Sequence, residues 1–163
     1  MTWRLAGPPD AEALRDLERA ANVVGLAHVF GATPFPDDEV LDRWRATLAE
    51  PGVVVMRHPH AFTSWDGDGR VRHLAVHPDH WGRGLGREGL GLAVAAVEAA
   101  GGEAHLWALE DNHRARRLYD HLGWVPTGET RPALWPPHPV ELRLRWPRPS
   151  ARPGDLSGSG RGH

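Results

Sequence analysis

Residues 77–89 read HPDHWGRGLGREG and follow directly on the strand-like residues 71–76, VRHLAV. Gly82, Gly84, Gly86 and Gly89 stand between that strand-like run and the alanine-rich residues 90–100. Glycines carry no Cβ, so backbone N–H groups can close in on an anion. A helix that starts just after them aims its first unpaired N–H groups, and about half a positive charge, at the same point. A diphosphate suits this pattern, and the rest of the chain decides what carries it.

The loop alone leaves several readings open. Gly84-x-Gly86-x-x-Gly89 matches the dinucleotide fingerprint, with Glu103 at about the expected distance beyond. The context is wrong for it, because residues 77–83, Pro78 among them, separate Val76 from Gly84. Glu103 also precedes its strand, where the ribose-binding acid should end one. A P-loop needs Gly-Lys-Ser/Thr, and the chain has no lysine. A glycine-rich turn with no ligand is the bland alternative.

Composition narrows the field. At 163 residues the chain is expected to be one domain that buries about two-thirds of its unfolded surface. All 19 basic residues are arginine and the net charge is −2, so no nucleic-acid footprint is expected. With no cysteine there is no disulfide, thiolate nucleophile or thiolate zinc site. No apolar run is long enough to span a membrane, and residues 1–10 lack a signal-peptide core. A cytoplasmic protein without membrane attachment is the expectation. The histidine clusters His58-x-His60 and His73-x3-His77-x2-His80 lack the helical setting of a zinc protease, so no metal is expected.

Outward from the loop, helices and strands alternate. Asp10 is expected to cap a helix with Leu14, Leu17, Ala21 and Val24 at helical spacing. Pro36 and three acidic residues open a second helix with Val40, Leu41, Trp44 and Leu48 on one face. Strands are expected at residues 53–57, 60–65 and 70–76, the last two joined by the turn Asp66-Gly67-Asp68-Gly69. A helix to about residue 100 and a strand at 104–109 come next. A helix at 112–122 follows, with Ala115, Leu118, Tyr119 and Leu122 on its apolar face. Strands near 125–129 and 140–146 complete a domain over residues 1–146. Residues 147–163, rich in Pro, Gly, Ser and Arg, are expected to be a disordered tail.

A second segment, residues 106–124, reads LWALEDNHRARRLYDHLGW. Together with LAVHPDHWGRGLG at residues 74–86, it resembles the GNAT superfamily of acetyl-coenzyme A-dependent N-acetyltransferases. The first run is similar to that family's acyl-CoA motif, a strand followed by Arg/Gln-x-x-Gly-x-Gly/Ala. The second is similar to its next motif, an Asn after the following strand and Leu-Tyr before a Leu-Gly-aromatic end. The resemblance implies an α+β fold in α/β/α layers. Its central sheet would be mixed, mostly antiparallel, of about six or seven strands with splayed central strands, and there would be about four helices.

The resemblance also implies roles. Acetyl-CoA would be the co-substrate, held by Leu74, Ala75, Val76, Trp81, Gly82, Arg83, Gly84, Leu85, Gly86, Arg87, Asn112 and Arg116. Trp81 departs from the pattern, standing where the family has Arg or Gln, and backbone amides are expected to make up for it. Arg83 and Arg87 read equally well as solvated arginines beside a loop. Tyr119 matches the family's general acid for the departing thiolate, and core packing is its competing reading. Asn112 reads as cofactor contact or helix cap. Glu110 and His73 are candidates for handling the acceptor's proton, though a solvated carboxylate and a structural histidine are the plainer readings.

The implied reaction moves an acetyl group to a primary amine by direct attack in a ternary complex. The acceptor would be a small-molecule amine or a peptide N-terminus, the protein a monomer or homodimer. An idle acyl-CoA-binding sensor of the same fold is the alternative. Arg70 and Arg72 occupy positions where relatives often place a base. An acceptor of low pKa, such as an α-amine, or one carrying a carboxylate that an arginine would hold, is therefore expected.

Overall fold

The computed structural model describes residues 2–147. Its strands are β1 (Arg4–Leu5), β2 (Val54–His58), β3 (Ala61–Trp65), β4 (Arg70–Val76), β5 (His105–Leu109), β6 (Val125–Pro132) and β7 (Val140–Arg145). Its α-helices are α1 (Ala11–Gly25), the single turn α2 (Ala27–Phe30), α3 (Asp37–Ala49), α4 (Leu85–Ala99) and α5 (His113–Leu122). The strands form one sheet in the order β1-β2-β3-β4-β5-β7-β6. Only β4 and β5 run parallel. The tail expected after Trp146 lies, beyond Pro147, outside the described residues.

Two cores cover opposite faces of this sheet. On one, Leu14 of α1 and Val40 and Trp44 of α3 pack against Val55 and Phe62. On the other, Leu90, Ala93 and Val97 of α4 and Tyr119 of α5 pack against Val71, Leu106, Ala108 and Leu144. Alternation along each strand supplies both faces, so the layers are helix, sheet, helix.

Several local expectations are corrected. Asp10 does not cap α1, since no side-chain cap bond forms there. Its carboxylate instead accepts from Arg4 at 2.7 Å, Arg57 at 2.8 Å and the Gly7 N–H at 2.9 Å. Val24 is 56% exposed because the buried stripe runs through Ala11, Leu14, Glu18 and Ala21. The strands β1 and the turn α2 were not anticipated.

Arg4, then the Gly7 N–H and Arg57, hold the Asp10 carboxyl well below the usual range against the opposing effect of its burial. A depressed folded-state pKa stabilises above the unfolded value near 3.9 and is lost as pH falls through it toward the folded one. Asp10→Asn is expected to cost about 2 kcal/mol at pH 7, given the worth of hydrogen bonds to charged groups. The gap from wild type should narrow below pH 4, as urea unfolding at pH 7 and pH 3 would show.

The central irregularity sits in β4. Trp65 pairs with Val71 while Ser64 pairs with His73, so Arg72 is one extra residue against β3. This bulge resets the alternation. Val71 and Leu74 face α4, while His73 and Ala75 face α1 and α3. Pairing of β4 with β5 is confined to Arg70↔His105 and Val71↔Leu106. Beyond that point the two strands splay, and the edge of β4 toward β5 is left open through Val76.

Candidate active site

The glycine loop opens onto the splay. A short 3-10 turn, Pro78–His80, leads from β4 into the loop, and Gly84 caps α4 in a left-handed conformation with φ +83°. The first amide of the helix start to find an acceptor is that of Glu88, on the Gly84 carbonyl at 3.0 Å. Among the described residues, the N–H groups of residues 82–87 have no acceptor. Six consecutive unbonded amides at a helix N-terminus fit a diphosphate. Gly86 has its own reason to lack a side chain, because a Cβ there would come within 2.9 Å of Leu118 on α5.

A cleft of about 400 Å³ runs from this loop to the splay. Leu74, Ala75, Val76, Trp81, Gly82, Gly84, Leu85, Gly86, Arg87, Asn112 and Tyr119 line it, all anticipated from the sequence. Arg83 and Arg116 do not line it, and Arg114 and Arg117 do. Arg116 instead donates to the Glu110 carbonyl at 3.0 Å. The Trp81 indole donates to the Val76 carbonyl at 2.8 Å and lies under the Arg114 guanidinium at 4.0 Å. Its side chain thus ties the loop to β4 and α5, which leaves anion binding to the amides. The His77 N–H bonds the His60 carbonyl across to the β3 side at 2.8 Å. By alternation the Val76 N–H points the other way, into the splay.

A second cavity of about 160 Å³ lies on the far side of the splay, lined by Glu18, Arg72, His73, Trp107 and Glu141 among others. The two share Asn22, Leu74, Ala75, Asn112 and Tyr119. These five mark the junction where groups held in either cavity meet. Asn112 has both of its expected roles open, since it lines the junction and its Oδ1 accepts from the Ala115 N–H at 3.3 Å.

Tyr119 is 7% exposed, and its ring meets Trp124 edge to face at 6.1 Å. Burial pushes its hydroxyl up to about 12. His73 bonds Ser64 Oγ through Nδ1 at 2.7 Å and stacks at a tilt on Trp44. Desolvation, then Arg43, Arg70 and Arg72, hold it well below its usual range. The influences that keep His73 neutral also make it a poor acceptor of a proton. Glu110, a candidate for handling the acceptor's proton, is exposed on the turn after β5 and lines neither cavity.

Arg72 lies in the second cavity but is fully engaged, with Glu50 at 2.7 and 3.0 Å and Asp66 at 2.8 Å. That undercuts its expected hold on an acceptor carboxylate. Arg70 keeps a buried Nε with no partner. Trp135 sits between β6 and β7 and lines neither cavity. Glu18 and Asn22 of α1 were missed. Their signal was available: Glu18 is a charge set on the apolar stripe of an amphipathic helix, four residues after Leu14.

Among the described residues, no group of three His, Asp or Glu is placed to hold a metal ion. No helix among them is long and apolar enough to cross a membrane.

Comparison with known proteins agrees with this geometry. No curated protein matches the chain in sequence. The fold is similar to the solution structure of apo-form YjaB from Escherichia coli, with a TM-score of 0.69 at 20% identity, covering 88% of this chain and 95% of that one. It is similar to a GCN5-related N-acetyltransferase structure from Rhodopseudomonas palustris, with a TM-score of 0.73 at 17% identity over 88% and 93%. It is also similar to yncA from Salmonella typhimurium, whose structure holds its cofactor acetyl-CoA, with a TM-score of 0.59 at 23% identity over 88% and 91%. The model of the acetyltransferase (GNAT) family matches residues 17–124, which include the glycine loop, the splay and Tyr119, and the chain belongs to that family.

Proposed function

We propose that the protein transfers an acetyl group from acetyl-CoA to a primary amine by direct attack in a ternary complex. The observation that carries this is the meeting of two cavities at the splay. One ends on six unbonded amides, and the other holds buried polar side chains. The Salmonella relative, solved with acetyl-CoA, supports the choice of cofactor.

Bound acetyl-CoA would supply a thioester carbonyl as electrophile. The amides of residues 82–87 would hold its diphosphate, each such charged hydrogen bond contributing about 1.5–3 kcal/mol. The open edge of β4 offers the Leu74 and Val76 N–H groups and the Leu74 C=O, the Val76 C=O being held by the Trp81 indole, and these would pair with an extended amide-bearing arm as with an added strand. The Val76 N–H would face the position where negative charge grows on the carbonyl oxygen. Tyr119 stands at the junction and would donate its proton to the departing sulfur.

The acceptor, a small-molecule amine or a peptide N-terminus, would enter through the smaller cavity. A panel of amines offered with acetyl-CoA, read by release of free thiol, tests the proposal. Thiol release at least about tenfold above the amine-free rate is expected for some member, a modest demand against usual enzymatic accelerations. Tight acetyl-CoA binding with no amine-dependent release would instead make the protein a sensor.

A further inference from the structure

Two carboxylates face the smaller cavity. Glu141, on β7, is held by Arg131 at 2.6 Å. Glu18 comes from α1, is 8% exposed, and meets Arg43 Nη2 through both oxygens at 2.6 and 2.7 Å. A single Arg43 nitrogen serves both oxygens, so each keeps lone-pair capacity for another donor. A buried ion pair is often no more stabilising than apolar side chains of the same size. Its presence on the core stripe of α1 therefore calls for a further reason, and the cavity beside it supplies one. Asn22, one helical turn further along α1, already belongs to the junction with the acetyl-CoA cleft.

We infer that Glu18 receives the acceptor's ammonium group in the smaller cavity and takes its proton, freeing the amine to attack. The inference rests on the acetyl-transfer reading above and adds to it a carboxylate that the β4 positions do not provide. The proton passes from nitrogen to a Glu18 oxygen. The nitrogen lone pair then forms the C–N bond, the C–S bond breaks, and its electron pair leaves on sulfur. Sulfur takes one proton from Tyr119, which regains it from the nitrogen. Glu18 returns the first proton to solvent.

The surroundings suit this role. Arg43 from α3 pairs with Glu18, and the cavity that Glu18 lines is lined also by Arg72 and His73 from β4, Tyr119 from α5 and Glu141 from β7. Arg43 is ion-paired with Glu18 itself, Arg72 is ion-paired with Glu50 and Asp66, His73 and Tyr119 remain neutral near pH 7, and Glu141 is paired with Arg131. Desolvation raises the Glu18 carboxyl above its usual range in spite of Arg43, which brings it nearer to working pH. With Glu18 in place, the acceptor need not be an amine of low pKa.

The test uses the full chain and two probes, propylamine and glycylglycine. Glu18→Gln keeps an oxygen for Arg43 and removes the base. It should lower kcat/KM for propylamine by about 10²- to 10³-fold at pH 7, the usual worth of a positioned base. The loss should shrink about tenfold per pH unit as the free amine itself becomes neutral, and should be smaller for the low-pKa amine of glycylglycine. Acetyl-CoA affinity should hold. Calorimetry of propylammonium binding, which requires no turnover, should show at least about tenfold weaker binding in the variant, as for loss of one charged partner. A purely structural Glu18 would give equal, pH-independent losses for both amines. That outcome, or binding and turnover within threefold of wild type, would overturn the inference. If Glu18→Gln unfolds, the pair Glu18→Gln/Arg43→Met removes both charges together and is read in the same way. A wild type that binds propylammonium through Glu18 yet transfers nothing would defeat acetyl transfer alone.

Discussion

Tyr119→Phe is expected to lower kcat by about 10²- to 10⁴-fold while acetyl-CoA affinity stays within about threefold. The substitution removes one oxygen from a ring whose packing is otherwise retained, edge to face with Trp124. Among the described residues that hydroxyl makes no hydrogen bond, so its loss leaves no buried partner stranded. Turnover is therefore separable from stability at this position. Proton donation from a tyrosine near 12 to a thiolate of ordinary pKa near 8.5 is uphill by about 5 kcal/mol. An unburied tyrosine would face only about 2 kcal/mol. A thiolate desolvated in the same junction is raised too, which narrows the gap when both are buried together. Tyr119 is the chain's only tyrosine, so its phenolate absorbance can be titrated directly and should not develop until well above pH 10. Wild-type turnover within a factor of three in the phenylalanine variant would make Tyr119 a core residue. The thiolate would then take its proton from solvent.

The parts of the site that were legible in the sequence are the local ones. Four glycines before an alanine-rich helix, an asparagine cap, and apolar residues at helical spacing in α5 each act within a few residues of chain. The strand bounds of β4 were readable for the same reason, because Asp66 to Gly69 forces a turn and Pro78 ends the run. The fold's long-range joins were not. The two residues of β1 pair with Met56 and Arg57, more than fifty positions away, and carry no periodic signal of their own. The bulge at Arg72, which interrupts the alternation along β4, was not legible either. Nothing in Arg70-Val-Arg-His-Leu announces an extra residue.

The acceptor side shows the same division. The resemblance places candidate bases on β4, yet the two carboxylates that face the cavity come from α1 and β7. A glutamate on a helix reads as solvated by default, since most are. Glu18 is distinguished only by register, four residues after Leu14 and three before Ala21. Glu110, for which a solvated carboxylate was the plainer reading, is exposed. It stands at the end of a strand that lines the splay, but the turn carries its side chain outside both cavities.

Gly84→Pro is expected to weaken acetyl-CoA binding by at least about 10²-fold, enough to abolish it in practice at assay concentrations, if two charged hydrogen bonds are lost. Gly84 sits at φ +83°, a left-handed conformation that proline, fixed near −65°, cannot adopt. The substitution also deletes one of the six unbonded amides directly. Restriction of the preceding residue then moves the Arg83 amide and the start of α4, so the loss is not confined to one donor. Gly84→Ala separates the two causes. It keeps the N–H and carries only the left-handed penalty of about 1–2 kcal/mol, so its affinity should fall between wild type and the proline variant. Nothing lies within 4 Å of a Cβ at this position, so steric clash does not confuse the comparison. Calorimetry with coenzyme A and with NADH is the deciding measurement. Undiminished coenzyme A affinity in a folded Gly84→Pro variant would show that the loop amides do not carry the diphosphate. Tighter binding of NADH than of coenzyme A to wild type would return the loop to the dinucleotide reading that its glycine spacing also permits.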